Sequence, residues 1–158
     1  MDNKRLVIVR IHGKHGLRKD IKDTFNMLRL YKKNYCILAA NSANNLGMIN
    51  KINDFVTWGE INSETLKLLL EKRGRLARKK RLTEIYVKEK IDCSLEEFIN
   101  DIINFKKELK DLPGLKLFFR LSPPKGGFEH GGIKKQFVQG GASGYRKDRI
   151  NDLIKRMV

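Results

Sequence analysis

The first 61 residues alternate between two periodicities of apolar side chains, and this alternation restricts the fold more than any other feature of the sequence. Short runs rich in β-branched and apolar residues occupy 6–11, 35–40 and 56–61, which predicts three strands. Between them, apolar residues recur every three to four positions over 19–30 and 46–56, which predicts two amphipathic helices with the second ending near Asp54. This β-α-β-α-β order predicts an α+β fold in which two helices cover one face of a small sheet and the opposite face stays free for contacts.

Helix boundary signals continue after residue 61. Ser63 is the predicted cap of a third helix, and Gly74 is the predicted stop. Ser94 and Glu97 have the spacing of a capping box, and the apolar period behind them predicts a helix that continues until Pro113 ends it. These signals predict two further helices in the second half of the chain.

Three shorter patterns complete the expected elements. The alternation of Thr83, Ile85 and Val87 predicts an edge strand, and 115–121 is a further strand candidate. Over 148–157 the apolar residues fall on one helical face, so we expect a short terminal helix that docks on the rest of the protein.

A glycine-rich segment separates the last two of these patterns. Residues 122–145 hold seven of the 13 glycines and cannot bury a core of their own. The segment has neither the Gly-Lys-Ser/Thr ending of a P-loop nor Rossmann glycine spacing after a strand. We expect it to order on contact with RNA, where Phe128, Phe137 or Tyr145 can stack on unpaired bases. A flexible linker is the alternative.

Net charge narrows the class of partner. The chain has 34 Lys and Arg against 18 Asp and Glu, a net charge of +16. Such an excess favours a polyanion, because each phosphate neutralised by Lys or Arg releases condensed counterions. The charge is also patterned, since residues 91–112 carry six acidic and three basic side chains while the rest of the chain is basic. We expect the acidic helix over 94–110 to face solvent or a protein, and the basic remainder to meet nucleic acid.

Other classes of function lack the residues they need. The chain has two cysteines, which form neither a disulfide framework nor a zinc-site spacing, and His12 and His15 have no third ligand cluster nearby. No nucleophile and base pattern is present, so we predict no catalytic residue, no metal, no cofactor and no small-molecule substrate. The apolar run at 6–11 is too short for a signal peptide or a membrane span, and we expect an unexported, cytoplasmic protein without a membrane partner.

The candidate RNA contacts are basic side chains in the turn at 12–16, in the first helices, in the basic run at 72–81 and in the glycine-rich extension. The run carries seven positive charges with no acid, which argues for phosphate contact over a merely solvated helix end. The turn can present main-chain amides together with its cations. The predicted contacts are Arg10, His12, Lys14, His15, Arg18, Lys19, Lys22, Arg29, Lys51, Lys72, Arg73, Arg75, Arg78, Lys79, Lys80, Arg81, Lys125, Lys134, Lys135, Arg146 and Lys147.

Four sequence blocks resemble a known family. They are VRIHG at 9–13, GLRKDIKDTFNMLRL at 16–30, LGMINKI at 46–52 and VTWGEI at 56–61. Together they are similar to large-subunit ribosomal protein L-thirty in its archaeal form, the counterpart of eukaryotic ribosomal protein L-seven. The resemblance implies a three-stranded antiparallel sheet on two helices, somewhat ferredoxin-like, that binds ribosomal RNA and has no catalytic role. It is looser after residue 61, where it rests on the Gly74 region and on 122–132.

The sequence therefore predicts a structural protein of the large ribosomal subunit, with a core domain at 1–61 and an archaeal-type extension at 62–158. Large-subunit ribosomal RNA and neighbouring ribosomal proteins are the expected partners, and the 5S RNA is a candidate second contact. The alternatives are a free-standing DNA- or RNA-binding regulatory or chromatin protein and, with no visible cofactor pocket to support it, an RNA-modifying enzyme.

Overall fold

The computed structural model describes residues 4–77 and 80–158. Its strands are β1 (Arg5–Arg10), β2 (Tyr35–Ala40), β3 (Val56–Glu60), β4 (Phe119–Arg120) and β5 (Gly144–Tyr145). Its helices are α1 (Lys19–Met27), α2 (Ala43–Lys51), α3 (Ser63–Arg73), α4 (Glu84–Ile91), α5 (Leu95–Ile103) and α6 (Ile150–Met157). Arg78 and Lys79 of the predicted basic run lie outside the described residues.

The sheet has the strand order β4-β2-β1-β3-β5. The central strand β1 is antiparallel to both β2 and β3, so the three predicted strands form the antiparallel unit that the family resemblance implied. The α+β prediction is confirmed, but the sheet has five strands instead of three. The later part of the chain supplies the two short edge strands, β4 antiparallel to β2 and β5 parallel to β3.

Both faces of the sheet are covered, so the expectation of a free second face is wrong. Successive side chains of β1 point to opposite faces: Leu6 and Ile8 belong to the core cluster that includes residues of α1 and α2. Val7 and Val9 belong to a second cluster with residues of α3, α5 and α6. The continuous apolar run of β1 already fits a strand buried on both faces, because a half-exposed strand would alternate with polar residues.

The N-terminal cap of α3 is Asn62, one residue before the predicted Ser63. The Asn62 side-chain oxygen accepts a hydrogen bond from the Thr65 amide at 2.9 Å, while Ser63 is already the first helical residue. The predicted stop is correct, since α3 ends at Arg73 and Gly74 follows as its C-cap.

This assignment can be tested by comparing two alanine substitutions. We expect Asn62→Ala to lower the free energy of unfolding by about 1 kcal/mol, because the Thr65 amide loses its partner. Ser63→Ala should change it by less than about 0.5 kcal/mol, since its side chain makes no cap bond. Chemical denaturation of both variants measures the difference, and an equal loss in both would contradict the assignment.

Residues 84–91 form the helix α4, so the predicted edge strand is wrong. Thr83 caps the helix by accepting a hydrogen bond from the Tyr86 amide at 3.4 Å. Val87 is fully buried in the second core cluster and Ile91 packs against it, whereas Ile85 is 69% exposed. Val87 and Ile91 lie one turn apart on the same helical face, a spacing that the short alternation at 83–87 concealed.

Helix α5 begins with the predicted capping box but ends at Ile103, well before Pro113. The side chain of Arg5 binds the main chain at this end of the helix. The Arg5 Nε donates to the Ile102 carbonyl at 2.8 Å and Nη2 donates to the Lys107 carbonyl at 3.1 Å. The Arg5 guanidinium also lies 4.1 Å from the centre of the Phe105 ring, and Phe105 adopts a φ of 60° that leaves the helix.

The glycine-rich segment is folded against the sheet in this structure, and its ordering on contact with RNA stays a prediction. Ser143 donates from its main-chain amide to the Lys135 carbonyl at 3.1 Å, and Gly144 pairs with Thr57 of β3.

The terminal helix α6 then docks on the second core cluster as predicted. In the candidate strand at 115–121, only Phe119 and Arg120 join the sheet, where they pair with the first two residues of β2.

Candidate nucleic-acid interface

Two of the predicted RNA contacts are buried arginines that hold the fold together. Arg10 is 2% exposed, and its guanidinium donates to the carbonyls of Leu30, His12 and Gly13 at 2.7 to 2.9 Å. The same group stacks 3.9 Å from the centre of the Phe25 ring. Burial lowers the pKa of Arg10 from its ordinary value. We therefore assign it to the conformation of the turn after β1, which its hydrogen bonds fix.

Arg146 is 3% exposed and ties the glycine-rich segment to the sheet. Its Nε donates to the Thr57 hydroxyl at 2.6 Å, its Nη2 donates to the Ala142 carbonyl at 3.0 Å, and both terminal nitrogens bind the Glu129 carboxylate. Burial by itself would raise the pKa of Glu129, but the hydrogen bonds from Arg146 and the main chain, with the charges of Arg146 and Arg156, bring it below its usual value. Arg146 is thus engaged inside the protein.

The carboxyl end of β1 collects basic side chains from distant parts of the sequence. Strand register places Arg10 beside Val56, the first residue of β3, so the turn at 12–18 lies next to the start of β3. The segment 134–136 reaches the same place, because Gln136 donates to the Asp54 carboxylate at 3.5 Å just before β3. We call this surface the basic end. Its exposed members are Lys14, His15, Arg18, Lys19, Lys51, Lys134 and Lys135.

The Asp20 carboxylate pairs with two cations of the basic end. Arg18 lies 3.4 Å and Lys51 lies 3.9 Å from the Asp20 carboxylate. This pairing links the start of α1 to the end of α2. Since both cations are about half exposed or more, the pairs contribute little stability and leave the side chains free to reorient toward phosphate.

The opposite end of β1 carries the acidic segment 91–112. Arg5 at the amino end of the strand binds the carbonyls of Ile102 and Lys107, which holds this segment in place. Two of its three lysines are paired with its own carboxylates, Lys107 with Asp101 at 3.1 Å and Lys110 with Glu108 at 2.8 Å. A six-residue strand spans about 17 Å, so charge changes sign over a short distance across the molecule.

A second cationic surface is a groove of about 230 Å³ beside β4. We call it the basic groove. Among the described residues, its lining contains no carboxylate and consists of Arg73, Arg75, Lys116, Phe118 and Arg120. A neighbouring groove of about 470 Å³ shares Arg73 and Arg75 and is also lined by Glu71, Lys72, Arg81 and Val158. The structure therefore brings part of the predicted basic run against β4.

Three residues of the basic groove, Lys116, Phe118 and Arg120, were not among the sequence predictions. They alternate along an extended segment, where side chains two residues apart point the same way. The intervening Phe119 is fully buried, and the Lys116 amide donates to the Arg75 carbonyl at 2.9 Å, which joins the segment to the basic run. The alternation of these three residues was visible in the sequence, but their position beside the basic run was not.

The other predicted contacts lie apart from these surfaces or hold partly internal positions. His12 is half-buried, and its ring packs edge-on against Phe55 with 5.3 Å between ring centres. Arg29, next to α1, is exposed and lines a different groove beside β2. The remaining predicted contacts are all exposed, and they are Lys22, Lys80, Lys125 and Lys147.

The three aromatic residues expected to stack on bases are at least partly engaged within the protein. Phe128 packs against the second core cluster, and Phe137 lies 4.6 Å from the Arg146 guanidinium. Tyr145 packs on Trp58 with 4.5 Å between ring centres and donates its hydroxyl proton to Glu60. Burial, followed by the hydrogen bond to Glu60, raises the pKa of Tyr145 to about 12.

The fold and its charge distribution define a class: a small basic α+β protein with a ferredoxin-like arrangement around a central antiparallel unit of three strands. Among residues 4–77 and 80–158, no group of three potential metal ligands is found. No helix in these ranges is long and apolar enough to cross a membrane.

Comparison with known proteins identifies the family. The model described as Ribosomal protein L30p/L7e matches residues 6–56. The Large ribosomal subunit protein uL30 of Methanopyrus kandleri is 48% identical over 149 residues, 94% of this chain and 100% of that protein. The protein of the same name from Nanoarchaeum equitans is 49% identical over 151 residues, 96% of this chain and 97% of that protein. The chain therefore belongs to the Ribosomal protein L30p/L7e family.

This membership confirms the family resemblance drawn from 9–61 and extends it along the chain, since both alignments cover more than nine-tenths of it. The family consists of structural ribosomal proteins, which agrees with the prediction that the chain is not an enzyme.

Proposed function

We propose that this protein is a structural constituent of the large ribosomal subunit and binds ribosomal RNA there through its basic end and its basic run. The names of the two archaeal relatives support assignment to the large ribosomal subunit. Their alignments cover more than nine-tenths of this chain. Assembly into that subunit places the protein in the cytoplasm, bound to the ribosome. Neighbouring ribosomal proteins are the proposed contacts of the acidic segment 91–112, and the 5S RNA is a proposed second RNA contact.

The observation that carries RNA binding is the convergence of exposed cations at the carboxyl end of β1. They come from the turn after β1, the start of α1, the end of α2 and the segment 134–135, yet they occupy one end of the sheet. Bringing like charges together costs free energy unless a polyanion neutralises them. Phosphates of folded RNA provide that neutralisation, and the release of condensed counterions makes the binding free energy more favourable.

The free-standing nucleic-acid-binding protein is the less favoured alternative. It predicts that generic duplex DNA binds as tightly as ribosomal RNA. The charge distribution argues against binding of DNA over the whole surface, because one end of the molecule is acidic and has two of its three lysines paired internally.

Salt-dependent binding tests the proposed interface. We expect the protein to bind deproteinised archaeal large-subunit RNA with an affinity that falls steeply with salt. Lys14→Gln combined with Lys134→Gln and Lys135→Gln should reduce the slope of log K against log salt by about 2 to 3, because each lost phosphate contact removes about 0.7 to 0.9 from it. Filter binding or fluorescence anisotropy over a salt series measures the slope.

A charge-matched control distinguishes the effect of these particular lysines from the effect of net charge. Lys88→Gln combined with Lys90→Gln and Lys106→Gln removes the same three charges from α4 and the acidic segment, and these side chains are exposed. This control should keep the wild-type slope. Equal losses in both triple variants would show that only net charge matters, and a wild-type protein that ignores ribosomal RNA in dilute buffer would refute the proposed function.

A further inference from the structure

We propose that the basic groove is a subsite for one unpaired RNA nucleotide, in which a backbone phosphate lies among Arg75, Lys116 and Arg120 while the base stacks on Phe118. This inference rests on the proposed function, since it names a site within an RNA-binding protein. It adds a specific chemical role to residues outside the basic end.

The phosphate half of the subsite depends on Arg75. Its Nη1 atom is buried and has no hydrogen-bond partner among the described residues. A buried donor without a partner costs about 1 to 3 kcal/mol, and more when the group is charged. Because Nη1 is shielded from solvent, a phosphate between Arg75, Lys116 and Arg120 accepts from it only after the Arg75 side chain turns toward the groove. That phosphate would also neutralise a groove whose described lining residues include no carboxylate.

Arg73 has a different role, because its guanidinium is already engaged. Its Nη2 donates to the Ser122 hydroxyl at 2.7 Å and to the Val158 main-chain oxygen at 2.8 Å. These bonds hold the end of α3 against the chain that leaves β4. Arg73 is therefore a positioning residue that shapes one wall of the groove.

The base half of the subsite depends on an aromatic group that packing holds in a fixed orientation. Phe118 is half-buried and stacks on Tyr35 with 5.1 Å between ring centres and 10° between ring planes. Tyr31 packs edge-on against Phe118 at 5.8 Å and is itself 39% exposed. The Arg120 guanidinium lies 5.6 Å from the centre of the Tyr35 ring.

A cationic groove with a rigid, partly exposed aromatic ring is the combination that binds single-stranded nucleic acid. Paired bases are unavailable for such stacking, whereas bases in loops and bulges of ribosomal RNA are accessible. An acidic peptide would neutralise the cations of the groove but would leave the aromatic surface unused. The ligand class that uses both features is an unpaired ribonucleotide.

The stacking half is tested with Phe118→Leu in the full-length protein. The probes are a fluorescein-labelled single-stranded RNA of about 12 nucleotides and a duplex of the same length. This length lies within the range that small single-strand-binding domains cover. We expect the substitution to weaken single-strand binding about fivefold or more and leave duplex binding unchanged. Equal weakening on both probes would overturn base stacking at this position.

The phosphate half is tested with Lys116→Gln combined with Arg120→Gln. On the single-stranded probe this variant should reduce the salt slope by about 1.4, because each lost contact removes about 0.7. The matched control is Lys88→Gln combined with Lys90→Gln, which removes two exposed charges away from the groove lining. Equal slopes in the two double variants would contradict the phosphate site.

A crosslinking measurement on the wild-type protein keeps the proposal testable if Phe118→Leu fails to fold. Ultraviolet crosslinking to the single-stranded probe should give adducts on peptides that contain Phe118 or Tyr31, and adducts confined to other peptides would overturn the subsite. If the wild type binds ribosomal RNA while folded groove variants bind all probes normally, the subsite is wrong but the proposed function stands. Groove variants that keep RNA affinity yet fail to join large subunits would mark a protein contact and refute the nucleotide subsite.

Discussion

Arg146→Met is expected to lower the free energy of unfolding by about 3 kcal/mol, because it breaks a buried ion pair and leaves one partner behind. Arg146 has side-chain contacts to Thr57, to the Ala142 carbonyl and to Glu129, so its loss removes the side-chain bonds that hold the glycine-rich segment on β3. Removal also leaves the Glu129 carboxylate, which is 24% exposed, with the more distant Arg156 at 3.7 Å. Chemical denaturation followed by circular dichroism measures the change.

The neighbouring Lys147→Met provides the control, since it removes an exposed cation from the next residue. We expect it to change stability by less than about 0.5 kcal/mol. If the two variants lose the same amount, the ion pair does not stabilise the fold. The same comparison separates stability from RNA binding, because both substitutions remove one positive charge.

The effect of Arg146 should also appear in acid. The folded-state pKa of Glu129 lies below its usual value, so the pair contributes its stability above the unfolded pKa of about 4.3 and loses it as pH falls through the lower folded pKa. In Arg146→Met, burial of the carboxyl remains while its main partner is gone. We therefore expect a smaller loss of stability between neutral pH and about pH 3 in the variant than in the wild type. An unchanged acid dependence would contradict the coupling.

Gly59→Ala is expected to cost about 3 kcal/mol or more, because the methyl group has no room. A Cβ at Gly59 would lie 2.1 Å from the Lys147 carbonyl oxygen and 3.0 Å from the Ile150 side chain. The first of these is main chain, which cannot rotate away. The substitution would therefore push the start of α6 off β3, and thermal or chemical unfolding would report the loss.

Gly47→Ala is the matched control within the same fold. Its Cβ would meet nothing within 4 Å, and the residue lies inside α2. Alanine loses less backbone entropy than glycine on entering a helix, so this substitution should stabilise the protein by about 0.5 to 1 kcal/mol. A destabilised Gly47→Ala together with a tolerated Gly59→Ala would contradict the packing described for both helices.

The first 61 residues were largely predictable because their patterns are local. Strand β2 has the predicted bounds, and the periodic apolar face around Phe25 is sufficient to indicate α1. The capping box at Ser94 and Glu97 was equally informative, since both of its hydrogen bonds span only three residues. Where the signal was three alternating residues, as at 83–87, a strand and a short helix could not be separated.

The candidate interface was predictable in composition but not in arrangement. Cation counts identified the turn, the basic run and the lysines of the extension. They could not separate exposed cations from Arg10, whose guanidinium binds three carbonyls inside the fold. They also overlooked Lys116 and Arg120, because two isolated basic residues on an apolar segment stand out only when the basic run lies beside them.

The sequence by itself determined the order of the main early helices and strands and the excess of positive charge, because periodicity and net charge are properties of the chain and do not depend on its path. Only the tertiary structure decided that both faces of the sheet are covered, that Arg146 serves the fold and that a groove forms beside β4. The physical reason is sequence separation. The bond from Arg146 to Thr57 joins residues 89 positions apart, and no local pattern specifies which distant groups will meet.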